Sequence, residues 1–205
     1  MVMQITSNVQ KIDGTVANCY LIKEKDMDIL IDAGTKSSGK KIISFFEKIN
    51  ERPDYILITH SHMDHIGGLL ELYNKFKPVI YVPGLELKVI QGADKLHPAN
   101  MFQKIIYAMF KTEPVNDIKP VYDMKIPFMD YYDTPGHTIG SVSYLYKPGN
   151  ILFSGDAAIE RHGGLIVNKK FSWNYADAME SLNKINRINP DMVCPGHGNP
   201  VGNKK

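Results

Sequence analysis

His60-Ser61-His62-Met63-Asp64-His65 places three imidazoles and one carboxylate within six residues, immediately after a short apolar run. Residues 55–59 combine aromatic and β-branched side chains, which predicts a buried strand that ends at His60. Ordinary packing rarely needs histidine and aspartate at this spacing, whereas metal ions are bound by these side chains. The six residues, called the histidine motif below, therefore indicate a metal site at the end of a strand.

Three further candidate ligands stand at the ends of other predicted strands. His137, Asp156 and His197 each directly follow a glycine. Glycine lets the backbone turn sharply and approach closely, so side chains from separate strands can meet at one sheet edge. With the histidine motif they make seven ligands, and because one ion takes about four, seven suit two ions that share a carboxylate. Imidazole and carboxylate without thiolate favour zinc, iron, manganese or nickel.

Short β-like runs alternate with amphipathic helices along the chain. Strands are predicted over residues 5–9, 17–22, 28–32, 55–59, 79–82, 129–133, 141–146, 151–154 and 192–194. Helices are predicted from a cap at Ser37 or Ser38 to about residue 50, from Gly67-Gly68 to about residue 76, and over 175–188. Two β-rich halves, each covered by helices, predict two sheets packed face to face within one α/β domain, residues 1–205.

Composition excludes several classes of partner. The 24 basic and 22 acidic side chains give a net charge of +2, so we expect no nucleic-acid partner. The chain shows neither a signal-like N-terminus nor an apolar run of about 20 residues, so we expect a cytoplasmic protein without a membrane partner. Cys19 and Cys194 both lie in strand-like segments and are expected to be buried free thiols.

These residues resemble the metallo-β-lactamase superfamily over about residues 9–201. Its signature elements occur in order, namely Asp32 within Leu30-Ile31-Asp32-Ala33-Gly34, the histidine motif, and then His137, Asp156 and His197. The resemblance implies a four-layer αββα sandwich of two mixed β-sheets with helices on both outer faces.

The resemblance also implies a role for each ligand. A first metal would be held by His60, His62 and His137, a second by Asp64, His65 and His197, and Asp156 would bridge them. Asp32 would orient a ligand imidazole, although an aspartate before Ala-Gly also commonly caps its own turn. Two divalent ions are implied, with zinc expected and iron or manganese as alternatives.

Two such cations can share one water molecule and lower its pKa toward neutrality, which makes a metal-bridging hydroxide. Asp64 is the expected catalytic residue that handles the proton of this hydroxide. We expect attack on an ester, thioester or lactone carbonyl of a small substrate. Only eight residues follow His197, so the implied branch is glyoxalase II-like without its glutathione-binding C-terminal domain, and glutathione thioesters are not expected. Familiar β-lactamases carry cysteine where Asp156 stands, so antibiotic hydrolysis is not favoured.

Three alternatives stay open on the sequence. Persulfide dioxygenases share this layout with one iron, and phosphodiesterases like tRNase Z share the metal motif. A non-catalytic binding protein is the third. Metal content helps to separate them, because two equivalents of zinc or manganese favour hydrolysis, one iron with oxygen uptake favours the dioxygenase, and absent metal favours the binding protein.

Two segments remain without a role. Residues 84–120 form a predicted helical insertion, rich in large apolar side chains, that could be a lid, a homodimer contact or plain core. The loop after Asp156 carries Arg161, Lys169 and Tyr175, which are candidate anchors for a substrate carboxylate or phosphate. A solvated loop is the other interpretation of this second segment.

Overall fold

Two mixed β-sheets pack face to face, with helices on both outer faces. The structure is a computed structural model that describes residues 2–95, 98, 101, 103–105 and 112–202. The predicted four-layer αββα sandwich is confirmed.

The first sheet has seven strands in chain order. They are β1 (Val2–Gln4), β2 (Val9–Ile12), β3 (Cys19–Glu24), β4 (Met27–Ile31), β5 (Tyr55–Leu57), β6 (Val79–Val82) and β7 (Lys119–Pro120). Strands β1 to β4 pair antiparallel, whereas β4 to β7 pair parallel. Since parallel strands end at the same edge, the residues after β4 and β5 are brought together, and these include Asp32 and the histidine motif.

The second sheet has five strands in the order β14-β13-β10-β9-β8. They are β8 (Met129–Asp133), β9 (Val142–Tyr146), β10 (Ile151–Gly155), β13 (Met192–Pro195) and β14 (Val201–Gly202). The parallel pair β10 and β13 brings Asp156 and His197 to one edge. A separate ribbon of β11 (Ile159–Arg161) and β12 (Gly164–Ile166) follows Asp156.

The helices with both ends among the described residues are α1 (Lys36–Ile49), α2 (Met63–Ile66), α3 (Leu69–Phe76), α4 (Leu87–Ile90) and α5 (Tyr175–Ile188). Single 3₁₀ turns occupy Gly84–Glu86, Val121–Asp123 and Lys147–Gly149. Within the described ranges, no helix is both long and apolar enough to cross a lipid bilayer.

Three apolar layers hold the sandwich together. Alternate residues of β4 point to opposite faces, so Ile29 and Ile31 enter the core between the sheets while Leu30 enters the core under α1 and α3. Phe153 and Tyr144 meet this inter-sheet core from the second sheet. A third cluster packs under α5. Each large side chain buried in this way contributes about 1.5–3 kcal/mol.

Two buried tyrosines bridge the sheets with hydrogen bonds. The Tyr20 hydroxyl of β3 donates to Pro195 O at the end of β13, 2.7 Å away. The Tyr144 hydroxyl of β9 donates to Ile58 O just after β5, 2.8 Å away. Both acceptors lie within two residues of a candidate ligand. Each bond therefore joins one sheet to the segment of the other sheet that carries a candidate ligand.

Two predicted boundaries were wrong. The strand predicted over residues 5–9 begins only at Val9, the first residue of β2, because the backbone N–H groups of Ile5 and Thr6 both donate to Val9 O and turn residues 5–8. Helix α1 is capped by Thr35 rather than Ser37 or Ser38, since the Thr35 hydroxyl accepts from Ser38 N. The helix ends at Asn50, which adopts the left-handed conformation.

Other predicted elements are confirmed. Strands 79–82 and 129–133 and helix 175–188 have the predicted bounds, and the remaining strands differ by a few residues at their ends. Cys19 and Cys194 are buried free thiols. Much of the 84–120 insertion, including residues 106–111, lies outside the described residues, so its role as lid or dimer contact stays a prediction. Its described part packs Val115 and Ile118 into the core under the helices.

The two tyrosine bridges predict unequal losses of stability. Tyr144→Phe is expected to cost about 1–3 kcal/mol, because it removes a buried hydrogen bond. Tyr20→Phe is expected to cost about 0.5–1.5 kcal/mol, since Pro195 O keeps a second donor in the Asn18 amide. Urea unfolding measures both, with exposed Tyr122→Phe as the control. Equal losses in all three variants would contradict the bridging role.

Candidate metal centre

Seven predicted ligand side chains converge at the edge where strands of both sheets end. The histidine motif follows β5, His137 lies between β8 and β9, Asp156 follows β10, and His197 follows β13. Two groups have ligand atoms within 4.8 Å of one another, namely His60 with His62 and His137, and Asp64 with His65 and His197. The strand ends therefore bring together all seven candidates.

Asp156 lies between these two groups. Its Oδ2 is 3.4 Å from His137 Nε2 and 3.4 Å from His197 Nε2. Its Oδ1 is 3.4 Å from His65 Nε2. One carboxylate thus faces an imidazole of the first group and two of the second, as a bridging ligand must.

Several buried atoms of the site lack a hydrogen-bond partner among the described residues. They include His60 Nε2, His65 Nε2 and Asp156 Oδ1, whose side chains also form a third group within 4.8 Å. An unsatisfied buried polar group costs about 1–3 kcal/mol, so such atoms normally have a partner. A divalent cation would be such a partner for these atoms, and their nitrogen and oxygen lone pairs suit zinc, iron or manganese. The residues present therefore fit a metal centre.

The histidines of the first group are held neutral. Burial lowers the pKa of His60 well below its usual range and also lowers the pKa of His137. Burial and the adjacent His137 lower the pKa of His62 to about 3. His137 Nε2 and His62 Nδ1 are only 2.9 Å apart. Neutral imidazole is the form that binds metal, so this group is ready to do so at neutral pH.

The second group is ionic. Burial alone would raise the pKa of Asp64, but His65 and His197 lower it below its usual range. Burial would likewise raise the pKa of Asp156, but His137 and His65 lower it. Burial would lower the pKa of His65, but Asp32 and Asp64 raise it. The two aspartates are therefore carboxylates at neutral pH.

Asp32 contacts the imidazole of His65. Its Oδ2 is 2.7 Å from His65 Nδ1, and both its oxygens accept from Thr59. Because a carboxylate can only accept, His65 Nδ1 carries a proton toward Asp32, and the other ring nitrogen, Nε2, faces Asp156. Asp32 has φ +60°, a conformation that aspartate tolerates better than most residues. The role of Asp32 as an orienting group stays a prediction.

Two glycines beside ligands are sterically required. A Cβ on Gly196 would lie 2.3 Å from Asp156 Oδ1 and 2.8 Å from His65 Cε1. A Cβ on Gly136 would lie 2.1 Å from Ala178 N of α5, and Gly136 also has φ +120°. Gly196 thus lets the backbone approach two candidate ligands closely, as the sequence indicated, whereas Gly136 lets the loop before His137 approach α5.

A cavity of about 460 Å³ opens over the site. Its floor includes His62, Asp64, His137, Asp156 and His197, and its walls are Val16, Thr35, Met63, Gln103, Ile159, Asn168 and Phe171. Within the part of the chain that the structure describes, no lysine or arginine lines it.

The predicted substrate anchors Arg161, Lys169 and Tyr175 are not among the lining residues of this cavity. The Lys169 ammonium lies 5.1 Å from the centre of the Tyr175 ring, so these two side chains contact each other. Asn168 and Phe171 of the same loop line the cavity instead. Substrate binding by the three predicted residues stays a prediction.

Sequence reasoning missed one buried acid near the site. Glu86 is 2% exposed and accepts hydrogen bonds from the loops on both sides of the first histidine group. Burial raises the pKa of its carboxyl, and hydrogen bonds from Ser61 and Thr138 oppose this shift. Glu86 lies four residues after the predicted strand 79–82 and two residues after Gly84, so it lacks the directly preceding glycine that marks His137, Asp156 and His197.

The fold and the clustered ligands define a metal-binding protein of the αββα sandwich class. A family model described as the metallo-beta-lactamase superfamily matches residues 12–197, so the chain belongs to that superfamily. The crystal structure of TTHA1623 in a di-iron-bound form shares the fold, with a TM-score of 0.72 and 23% identity over 98% of this chain and 94% of that one.

Two relatives by sequence are hydrolases by name. Probable metallo-hydrolase YflN of Bacillus subtilis (strain 168) is 28% identical over 92% of this chain and 83% of its own length. Hydroxyacylglutathione hydrolase of Buchnera aphidicola subsp. Schizaphis graminum is 29% identical over 85% of this chain but only 59% of its own length. The second agrees with a glyoxalase II-like branch. These likenesses support a metallo-hydrolase with a histidine-rich candidate metal site.

Asp32→Asn is expected to weaken zinc binding about 10–100-fold, as the loss of a group that orients a ligand does. Asparagine tolerates the positive φ, but its amide would donate to His65 Nδ1 and move the ring proton to the nitrogen that faces Asp156. Competition with a chromogenic chelator measures the affinity, and thermal unfolding checks the fold. Exposed Asp26→Asn is the control. A folded variant with wild-type zinc affinity would show that Asp32 does not orient His65.

Proposed function

We propose that this protein is a binuclear metal-dependent hydrolase that acts on an ester, thioester or lactone of a small substrate. The supporting observation is the pair of ligand groups joined by Asp156. His60, His62 and His137 would hold one ion, and Asp64, His65 and His197 the other. Zinc is the proposed metal, with iron or manganese as alternatives.

Two divalent cations bound there would lower the pKa of a water molecule toward neutrality and polarise the scissile carbonyl. The neutral histidines of the first group and the carboxylates of the second offer lone pairs without first losing a proton at neutral pH. Asp156 would fix the distance between the two groups, because its two oxygens face different imidazoles.

Asp64 is the proposed catalytic base and acid. It lines the cavity, and its Oδ2 is 3.2 Å from His197 Nε2, which holds that carboxylate in place. Its lowered pKa keeps it ionised at neutral pH. As a carboxylate it would take the proton of the attacking water. Returning this proton to the leaving group would complete the reaction.

The cavity walls support a substrate with an uncharged, partly apolar body. Val16, Met63 and Phe171 line the walls, and the amide side chain of Asn168 offers a polar contact. The Gln103 amide also lines the cavity and donates to Phe171 O. The described lining carries no basic group for a glutathione carboxylate. We therefore propose a simple acyl ester, thioester or lactone, rather than the substrate named for the Buchnera relative, and propose neither a nucleic-acid nor a membrane partner.

Metal analysis together with a substrate panel tests this proposal. The purified protein is expected to contain two equivalents of divalent metal and to hydrolyse at least one ester, thioester or lactone. His62→Ala and Asp64→Ala are each expected to lower kcat by more than about 1,000-fold, since each removes a ligand of the site. Both variants should stay folded, because the two side chains lie at the cavity rather than in an apolar core.

His162→Ala is the matched control, as this exposed histidine lies in the turn between β11 and β12 and does not line the cavity. Near-wild-type hydrolysis by His62→Ala or Asp64→Ala would overturn the assignment. One equivalent of iron with oxygen uptake would favour the dioxygenase, and turnover of a phosphodiester alone would favour the nuclease.

A further inference from the structure

Glu86 is a buried acid that belongs to neither ligand group. It ends the 3₁₀ turn Gly84–Glu86, which follows β6 of the first sheet through Pro83. Only 2% of the residue is exposed. Burying a carboxylate is costly unless hydrogen bonds compensate for its lost hydration, so a buried glutamate needs donors around it.

The donors come from two different loops. Glu86 Oε2 accepts from Ser61 N, 2.5 Å away, and Ser61 lies between two ligands of the histidine motif. Glu86 Oε1 accepts from Gly140 N, 3.0 Å away, and from the Thr138 hydroxyl, and Thr138 directly follows the ligand His137. One carboxylate therefore ties a loop of the first sheet to a loop of the second sheet.

The loop that follows His137 packs tightly against Glu86. A Cβ on Gly140 would lie 2.7 Å from Glu86 Cγ, so this loop rests directly on the glutamate side chain. The Thr138 hydroxyl is also 2.6 Å from Ser141 Oγ, and Ser141 Oγ accepts from Thr138 N. Moving Glu86 would thus shift the loop that carries His137 relative to the loop that carries His60 and His62.

We infer that Glu86 is a positioning residue that sets the spacing of His60, His62 and His137. It acts through backbone groups adjacent to these ligands and does not contact the metal or the substrate. This role rests on the proposed function, because it concerns the affinity of the first metal group. The second group takes Asp64, His65 and His197, none of which bonds Glu86, and its spacing should be unaffected.

Glu86→Gln tests the inference with minimal change of shape. The glutamine carbonyl can still accept from Gly140 and Thr138, but its amide then faces the Ser61 N–H, and two donors cannot bond each other. We expect one of the two zinc equivalents to bind about 10–100-fold more weakly, and the other to change less than about 3-fold. Chelator competition measures both affinities.

Two further measurements do not depend on turnover. The absorption spectrum of the cobalt(II)-loaded variant should change, because ligand spacing sets coordination geometry. Amide hydrogen exchange at Ser61 should become faster in the metal-free variant. Thr138→Val removes the hydroxyl contacts with Glu86 and Ser141 but keeps the backbone bonds from Ser61 and Gly140 to Glu86, so it is expected to show a weaker form of the same effect. Glu180→Gln, which changes an exposed glutamate of α5, is the control.

The outcomes separate this inference from the proposed function. A Glu86→Gln variant that loses stability but keeps both zinc affinities and the cobalt spectrum would show a merely structural role and overturn the inference. Equal weakening of both equivalents would also contradict it. A wild-type protein that binds no metal would overturn the proposed function first, and the inference with it. Loss of one affinity in Glu86→Gln but not in Glu180→Gln supports it.

Discussion

The face-to-face packing of the two sheets is the constraint on which the site depends, because its ligands come from both sheets. Neither sheet holds a complete set, since His60 and His62 follow β5 of the first sheet while His137, Asp156 and His197 follow strands of the second. The inter-sheet core and the hydrogen bonds of Tyr20 and Tyr144 keep these strand ends opposite each other. Dense packing makes this spacing rigid, because a packed core has few alternative arrangements.

The site itself opposes folding in the absence of a cation. It brings five imidazoles and two carboxylates together and leaves buried ring nitrogens of His60 and His65 without hydrogen-bond partners among the described residues. Such groups destabilise the folded state unless something compensates for them. Surrounding side chains bond to parts of the site nonetheless. Asp32 contacts His65 Nδ1, and Glu86 accepts hydrogen bonds from the loop of the histidine motif and from the loop that follows His137. A functional site commonly departs from optimal stability in this way.

Local signals and distant contacts explain where the sequence predicted the fold well and where it did not. Strands 79–82 and 129–133 and helix 175–188 were predictable because their hydrophobic pattern and boundary residues agree. Residues 5–9 have the composition of a strand. The backbone N–H groups of Ile5 and Thr6 instead donate to Val9 O, which makes a local turn before β2. The cap of α1 falls on Thr35 because its backbone is extended and its hydroxyl reaches Ser38 N. Three hydroxyl residues within four positions, Thr35, Ser37 and Ser38, left the capping residue undecided in the sequence.

The candidate ligands were identified from the sequence alone, because the spacing of the histidine motif and the glycines before His137, Asp156 and His197 are local features. Only the tertiary structure decided which imidazole Asp32 contacts and that Glu86 joins two of the loops. It also decided that Asn168 and Phe171, rather than the nearby charged residues, line the cavity. The physical reason is that these properties depend on distances between segments far apart in the chain, and the packing of two sheets sets those distances.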